Sequence, residues 1–303
     1  MTPEEYAKAK YREYVVREET TLLDFLTGEG FSRNRAKDIL RGGGVMVDRQ
    51  HVTRHDHVLR SGQTVLVSRH RRKTELESQW MRLVYEDKDI IVIDKQAGIL
   101  SMGISARQFC MKTVLDEYFE RRHFKCHAHV VHRLDRDTSG LMVYAKTIEA
   151  AQTLERRWKN NVVDRRYVAL VSGIIAQEGG TYESWLKDDK RGVTHSSTTE
   201  NGGKLAVTHF RVVERYEAEN RTLVELRLET GRKNQIRVHM ADMGHPVCGD
   251  EKYGNGDNPL QRLCLHAFRL HLFHPITGRR LEFDTPYPTG FRRRTKTTDN
   301  QPI

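Results

Sequence analysis

The chain has 303 residues, 30% of them charged and 37% in the hydrophobic class, and its 51 Lys/Arg against 41 Asp/Glu give a formal charge of +10. That length suits one large domain with a small one, or two mid-sized domains. No apolar run approaches a membrane span and the charged N-terminus lacks the apolar core of a signal peptide, so a soluble cytoplasmic protein, read as a monomer, is expected. Cys110, Cys126, Cys248 and Cys264 have no CxxC spacing and fit thiols in a reducing compartment. The basic excess is concentrated: residues 31 to 73 hold eleven Lys/Arg against three Asp/Glu, which favours a nucleic-acid partner.

In chain order, Leu22, Leu23, Phe25 and Leu26 form a helical stripe. Ser32 can cap a second short helix that runs through Leu40 and ends at Gly42-Gly43-Gly44. A strand at VMV, a turn at Asp48-Arg49-Gln50, a second turn at Ser61-Gly62 and a final strand complete a module over residues 1–68. Arg33, Arg35, Lys37 and Arg41 fall on the second helix, where several can face one phosphate backbone. Residues 69–80 are charged and read as a tether. LVYED and IIVIDK read as strands, with Gly98 as a bend after them, and Met111–Arg122 as an amphipathic helix.

His127, His129 and His132 raise a metal hypothesis. On a strand, however, the first two share a face opposite the third, and no cysteine or carboxylate set completes a shell. Orienting the neighbouring loop is the better role for His132. That loop, His132 to Gly140, lies between apolar runs at Ala128–Val131 and Leu141–Ala145 that read as strands. It packs two aspartates, two arginines and a histidine into six residues. Chemistry alone leaves two readings: a catalytic loop held rigid at both ends, or a well-capped turn with a satisfied ion-pair cluster.

The wording VVHRLDRDTSGLMVYAKT resembles the signature of the RluA-type RNA pseudouridine synthases. The resemblance makes Asp135 the catalytic nucleophile and Arg133 the residue that assists flipping of the target base. RRYVALV resembles a second family motif and implies that Tyr167 lies against the base. GRKNQIRVHMADMGHPVCGDEKYG resembles a third, which implies that Arg237 faces Asp135. GFSRNRAKDIL through SGQTVLVS resembles the S4 RNA-binding module, which makes Arg33, Arg35, Lys37 and Arg41 RNA-binding candidates. Two positions depart from the family pattern: Gln96 replaces a usual proline, and Asn234 a usual histidine.

The resemblance covers about Leu83 to Phe291. It implies an α+β fold: a small S4-like module, then a catalytic domain (81–291) with a mixed, mostly antiparallel sheet and flanking helices, and a polar tail (292–303). Asp137, Thr138 and Ser139 are expected to fix the loop through local side-chain to backbone bonds. Converting a uridine N-glycoside to a C-glycoside is redox-neutral, so a nucleophile suffices and no cofactor, nucleotide or metal is expected. The chain carries no P-loop or dinucleotide fingerprint, in keeping with that. The expected partner is RNA, ribosomal RNA ahead of transfer RNA. Two rivals stand: a non-catalytic RNA-binding or ribosome-assembly protein, and a magnesium-dependent phosphotransferase using Asp135-Arg136-Asp137-Thr138 as a DxDx[TS] loop. The hairpin-rich chain downstream disfavours the second.

Overall fold

The structure, a computed structural model, describes residues 11–41, 45–48, 50–52, 55–68, 80–103, 108–200 and 202–292. Of the expected tether only Trp80 falls within these, and of the expected tail only Arg292. The chain divides into two compact units, Met1–Glu75 and Leu76–Ile303. No helix among the described residues is long and apolar enough to cross a membrane.

In the first unit, β1 (Tyr11–Val15) and β2 (Thr20–Thr21) precede α1 (Leu22–Gly28) and α2 (Arg33–Arg41). Then come β3 (Val45–Val47), β4 (Gln50–His51), β5 (Val58–Leu59) and β6 (Thr64–Ser68). A four-stranded sheet runs β1-β6-β3-β4, with a separate β2-β5 pair. Thr21 caps α1, its hydroxyl accepting from the Asp24 amide, and Ser32 does the same for Arg35 in α2. Leu22, Leu26, Ala36, Leu40, Val45 and Val65 form the centre of this unit's own core.

The second unit starts with the hairpin β7 (Met81–Glu86) and β8 (Ile90–Lys95), followed by α3 (Met111–Arg121), β9 (His129–Val130) and β10 (Ser139–Ala145). Helices α4 (Ile148–Arg156) and α5 (Trp158–Asn161) lead into the long β11 (Val162–Ser172). Next come β12 (Gly179–Asp188), β13 (Thr194–Ser197), β14 (Lys204–Tyr216) and β15 (Arg221–Leu228). Helix α6 (Gln235–Asp242), β16 (Leu265–Phe273) and β17 (Arg280–Asp284) close it. One eleven-stranded sheet runs β13-β12-β14-β15-β11-β16-β10-β8-β7, with β9 beside β10 and β17 beside β16. The pairing of β10 with β16 is parallel, and the other pairings of this sheet's strands are antiparallel.

β8 and β10 explain why the centre of the sheet is rigid. Ile91, Ile93, Met142 and Tyr144 enter one core with α3, while Ile90, Val92, Leu141, Val143 and Ala145 enter another with α4. Side chains alternate along a strand, so a strand buried on both faces must be apolar throughout. Gly140 sits where β10 meets β16: its φ is +121°, and a Cβ there would lie 2.3 Å from the Ala267 carbonyl oxygen. Only glycine permits that approach. The charged loop therefore leaves a strand fixed on both faces.

Candidate active site

Asp135 sits four residues before β10, and its loop is gripped from the segment that follows β8. The Ser101 hydroxyl accepts from the Leu134 amide (3.0 Å) and donates to the Leu134 carbonyl (2.6 Å). The Gly98 amide (2.9 Å) and the Lys95 ammonium (3.0 Å) both donate to the Arg136 carbonyl. Lys95 is fully buried and also donates to the Gln96 and Ile99 carbonyls, each at 2.9 Å. The residues on either side of Asp135 are thus held, Leu134 by Ser101 and Arg136 by Gly98 and Lys95. Asp137 instead pairs with Arg136, and Ser139 bonds His266 and Arg262 across the sheet. Ser139 thus fixes the loop from a distance rather than locally, while the Thr138 amide closes a local turn on the Asp135 carbonyl (3.2 Å). Gln96 also gains a reason: its amide donates to the Trp80 carbonyl (2.8 Å), a bond that proline could not make.

His132 orients the loop as expected. Its Nε2 accepts from the Val143 amide (3.0 Å) and its ring lies 4.7 Å from Trp158; burial holds its pKa down at about 3, so it is neutral. His127 points to solvent near Asp116. A different trio, Asp87, Asp89 and His274, brings its oxygens and ring nitrogen within 4.8 Å of one another. His274 Nδ1 accepts from the Ile276 and Thr277 amides, so Nε2 carries the proton and donates to Asp87 (2.9 Å). A protonated nitrogen has no lone pair for a cation, so the set does not fit a metal.

Tyr167 lies on β11 at a register shift against β16, between Arg166 and Tyr167. Such bulges re-aim a side chain. The phenol is buried, which raises its pKa and keeps it protonated. Arg237 comes from α6, whose QIRVH stretch divides its labour. Gln235 accepts from the Thr230 hydroxyl and Arg232 amide and donates to Val207 and Thr208, tying the helix to β14. Ile236 and Val238 pack into core clusters, and His239 meets the Ser184 hydroxyl. Arg237 alone turns to the loop.

Its guanidinium has two carboxylate partners. Nε and Nη2 donate to Asp250 at 2.7 Å each, and Nη1 lies 3.6 Å from Asp135 Oδ2. Nη1 also donates to Asn234 Oδ1 (3.1 Å), while Asn234 Nδ2 donates to the Tyr253 hydroxyl (3.1 Å). Asn234 takes a left-handed conformation, φ 53°, which asparagine tolerates well. The Arg237 guanidinium is 5.3 Å from the Tyr253 ring centre. Asp250 and Tyr253 stand inside the quoted GDEKYG segment, but their roles depend on a close approach between residues thirteen and sixteen positions away from Arg237, with no periodic signal to reveal it.

Asp135, Tyr167 and Arg237 all line one cleft of about 600 Å³ within the second unit, together with exposed Arg133. Burial raises the Asp135 pKa; the Arg237 and Arg133 guanidinia oppose that, and Asp250 adds to it. The cleft thus presents a shielded carboxylate beside a fixed cation and a buried aromatic ring. In the first unit, Arg33 and Arg35 are exposed, Lys37 is half-buried, and Arg41 ends α2.

The family described as RNA pseudouridylate synthase matches residues 89–242. The uncharacterized RNA pseudouridine synthase YjbO of Bacillus subtilis (strain 168) is 34% identical over 276 residues, 88% of this chain and 95% of that protein. The ribosomal large subunit pseudouridine synthase D of Pasteurella multocida (strain Pm70) is 38% identical over 232 residues, 72% of this chain and 70% of that protein. The solved structure of human RNA pseudouridylate synthase domain containing 1 superposes with a TM-score of 0.57 at 27% identity, over 68% of this chain and 83% of that one. A mixed sheet that carries this cleft, a family match across half of the chain and relatives spanning most of it lead to one conclusion: the protein belongs to the RNA pseudouridylate synthase family and is an RNA pseudouridine synthase.

Proposed function

We propose that the enzyme isomerises uridine in large-subunit ribosomal RNA, with Asp135 as nucleophile, Arg237 as its ion partner, Tyr167 against the flipped base and Arg133 filling the vacated stack. The observation that carries this reading is the Asp135–Arg237 pair at 3.6 Å within a cleft that Tyr167 also lines. Attack by the carboxylate on the nucleoside frees the ring to turn. The N1–C1′ bond breaks and a C5–C1′ bond forms, C5 gives up a proton and N1 gains one, and no electrons enter or leave. A water-poor site suits this, because the nucleophile then meets the uridine rather than solvent. Base flipping costs a few kcal/mol, and stacking on an aromatic ring returns about 1–3 kcal/mol.

Several relatives are named ribosomal large subunit pseudouridine synthase D, and this supports ribosomal RNA over transfer RNA. The S4-like module would extend the grip through Arg33, Arg35, Lys37 and Arg41. In this reading residues 1–68 bind RNA, 69–80 tether, 81–291 catalyse, and the enzyme works as a cytoplasmic monomer. The test is Asp135→Asn, assayed for pseudouridine in a ribosomal RNA transcript and for RNA binding in parallel. Product should fall to background with affinity kept within about threefold, because a neutral isostere removes nucleophilicity and little contact area. Wild-type turnover by that variant would sink the assignment, and mapping pseudouridines in cells with and without the protein identifies the RNA.

A further inference from the structure

We infer that Asp250 is a positioning residue that takes the stronger share of Arg237, leaving Asp135 only loosely held and so free to attack. This rests on Asp135 being the nucleophile. The geometry is unequal: two bonds of 2.7 Å to Asp250, a single approach of 3.6 Å to Asp135. The Asp250 side chain is 0% exposed and has little freedom. Its Oδ1 also accepts from the Lys252 (2.9 Å) and Tyr253 (3.0 Å) amides. Before it, Gly249 has φ +73°, and a Cβ there would come within 1.9 Å of the Arg262 carbonyl oxygen, so the backbone cannot drift.

Two carboxylates share one guanidinium, and the fork–fork geometry goes to the carboxylate that does no chemistry. A bidentate arginine would occupy both oxygens of Asp135 and blunt it as a nucleophile. With Asp250 on the Nε–Nη2 edge, Arg237 approaches Asp135 through Nη1. Asn234 Oδ1 aims that nitrogen, and Asn234 is held in turn by the Tyr253 hydroxyl, which also accepts from the Thr194 amide. The groups facing Asp135 are Arg133 in its own loop, Arg237 on α6, Asp250, Tyr167 on β11 and Lys95 on β8. Among these Asp250 is the anion, and it raises the Asp135 pKa while both arginines lower it.

The test is the acid limb of the pH profile of kcat/KM on a ribosomal RNA transcript, read in two variants that change charge in opposite directions. Asp250→Asn removes the competing anion, so the limb should move down by about one pH unit, with kcat reduced about 10–100-fold and KM unchanged. Asn234→Asp adds an anion to the same guanidinium, so the limb should move up. A merely structural role would lower kcat and leave both limbs in place. Limbs unmoved in folded variants, or moved the other way, overturn the inference. If Asp250→Asn does not fold, Asn234→Asp decides alone. Should Asp135→Asn be inactive while the limbs stay put, only the charge-sharing inference falls; an active Asp135→Asn removes the nucleophile assignment itself.

Discussion

Ser101 matters more to this site than its neutral hydroxyl suggests. It is buried, and it pairs with both the amide and the carbonyl of Leu134, one residue before Asp135. Removing a partner from buried polar groups costs about 1–3 kcal/mol for each group left without one. Ser101→Ala should therefore lower unfolding stability by about 2–4 kcal/mol and reduce kcat more than KM, as measured by urea denaturation and steady-state kinetics. A stability loss with unchanged kcat would show that the loop keeps its geometry without this bond. Lys95 is the partner device: a buried amine that donates to three carbonyls, its pKa lowered to about 7 by burial against the opposing charges of Asp137 and Asp135.

At the scale of elements, α2 and α6 differ in what they ask of their charged residues. In α6 one arginine faces inward, its side chain 11% exposed, while Gln235, Ile236, Val238 and His239 anchor the helix that carries it. In α2 Arg33 and Arg35 are exposed and Lys37 half-buried, around buried Ala36 and Leu40. Successive residues turn by about 100°, so Arg33, Lys37 and Arg41 share one face and Arg35 stands roughly opposite Arg33. Arg35 lies 5.5 Å from the Phe31 ring centre. If this helix grips RNA as proposed, Arg33→Ala and Lys37→Ala should each cut the salt slope of binding by about 0.7–0.9, and Arg35→Ala much less. Titrations of transcript binding between low and moderate salt check this; equal effects at all three positions would show that the face is not oriented.

For the whole molecule, buried neutral histidines tie stability to pH. His239 and His266 are both buried, and burial holds their pKa values at about 4 and about 3. The Thr285 hydroxyl donates to the Phe268 carbonyl and so accepts from His266 Nε2, which leaves Nδ1 to accept from the Ser139 hydroxyl. Protonating this ring would place two donors face to face. Below about pH 6.5 the unfolded chain takes up protons that the folded chain refuses, so stability falls as pH drops from about 6.5 towards 4. Each histidine contributes up to about 1.4 kcal/mol per pH unit in that window. Urea midpoints measured from pH 7 to pH 5 should decline, and a flat profile would contradict the neutral, buried assignment.

The amino-acid sequence on its own determined what local chemistry dictates. The helical stripes of α1 and α3, the apolar run of β10, the turns at Gly62 and Gly98, and the wording around Asp135, Tyr167 and Arg237 could all be read without coordinates, because capping, periodicity and motif spacing are properties of neighbouring residues. Tertiary structure decided the rest. That Ser101 and Lys95 hold the loop, that Ser139 serves His266 and not its own turn, and that Asp250 takes the stronger share of Arg237 all depend on contacts between distant segments. Whether two charges meet at 2.7 or 3.6 Å is set by the packing of a helix, a loop and a sheet around them, and spacing along the chain carries no record of that distance.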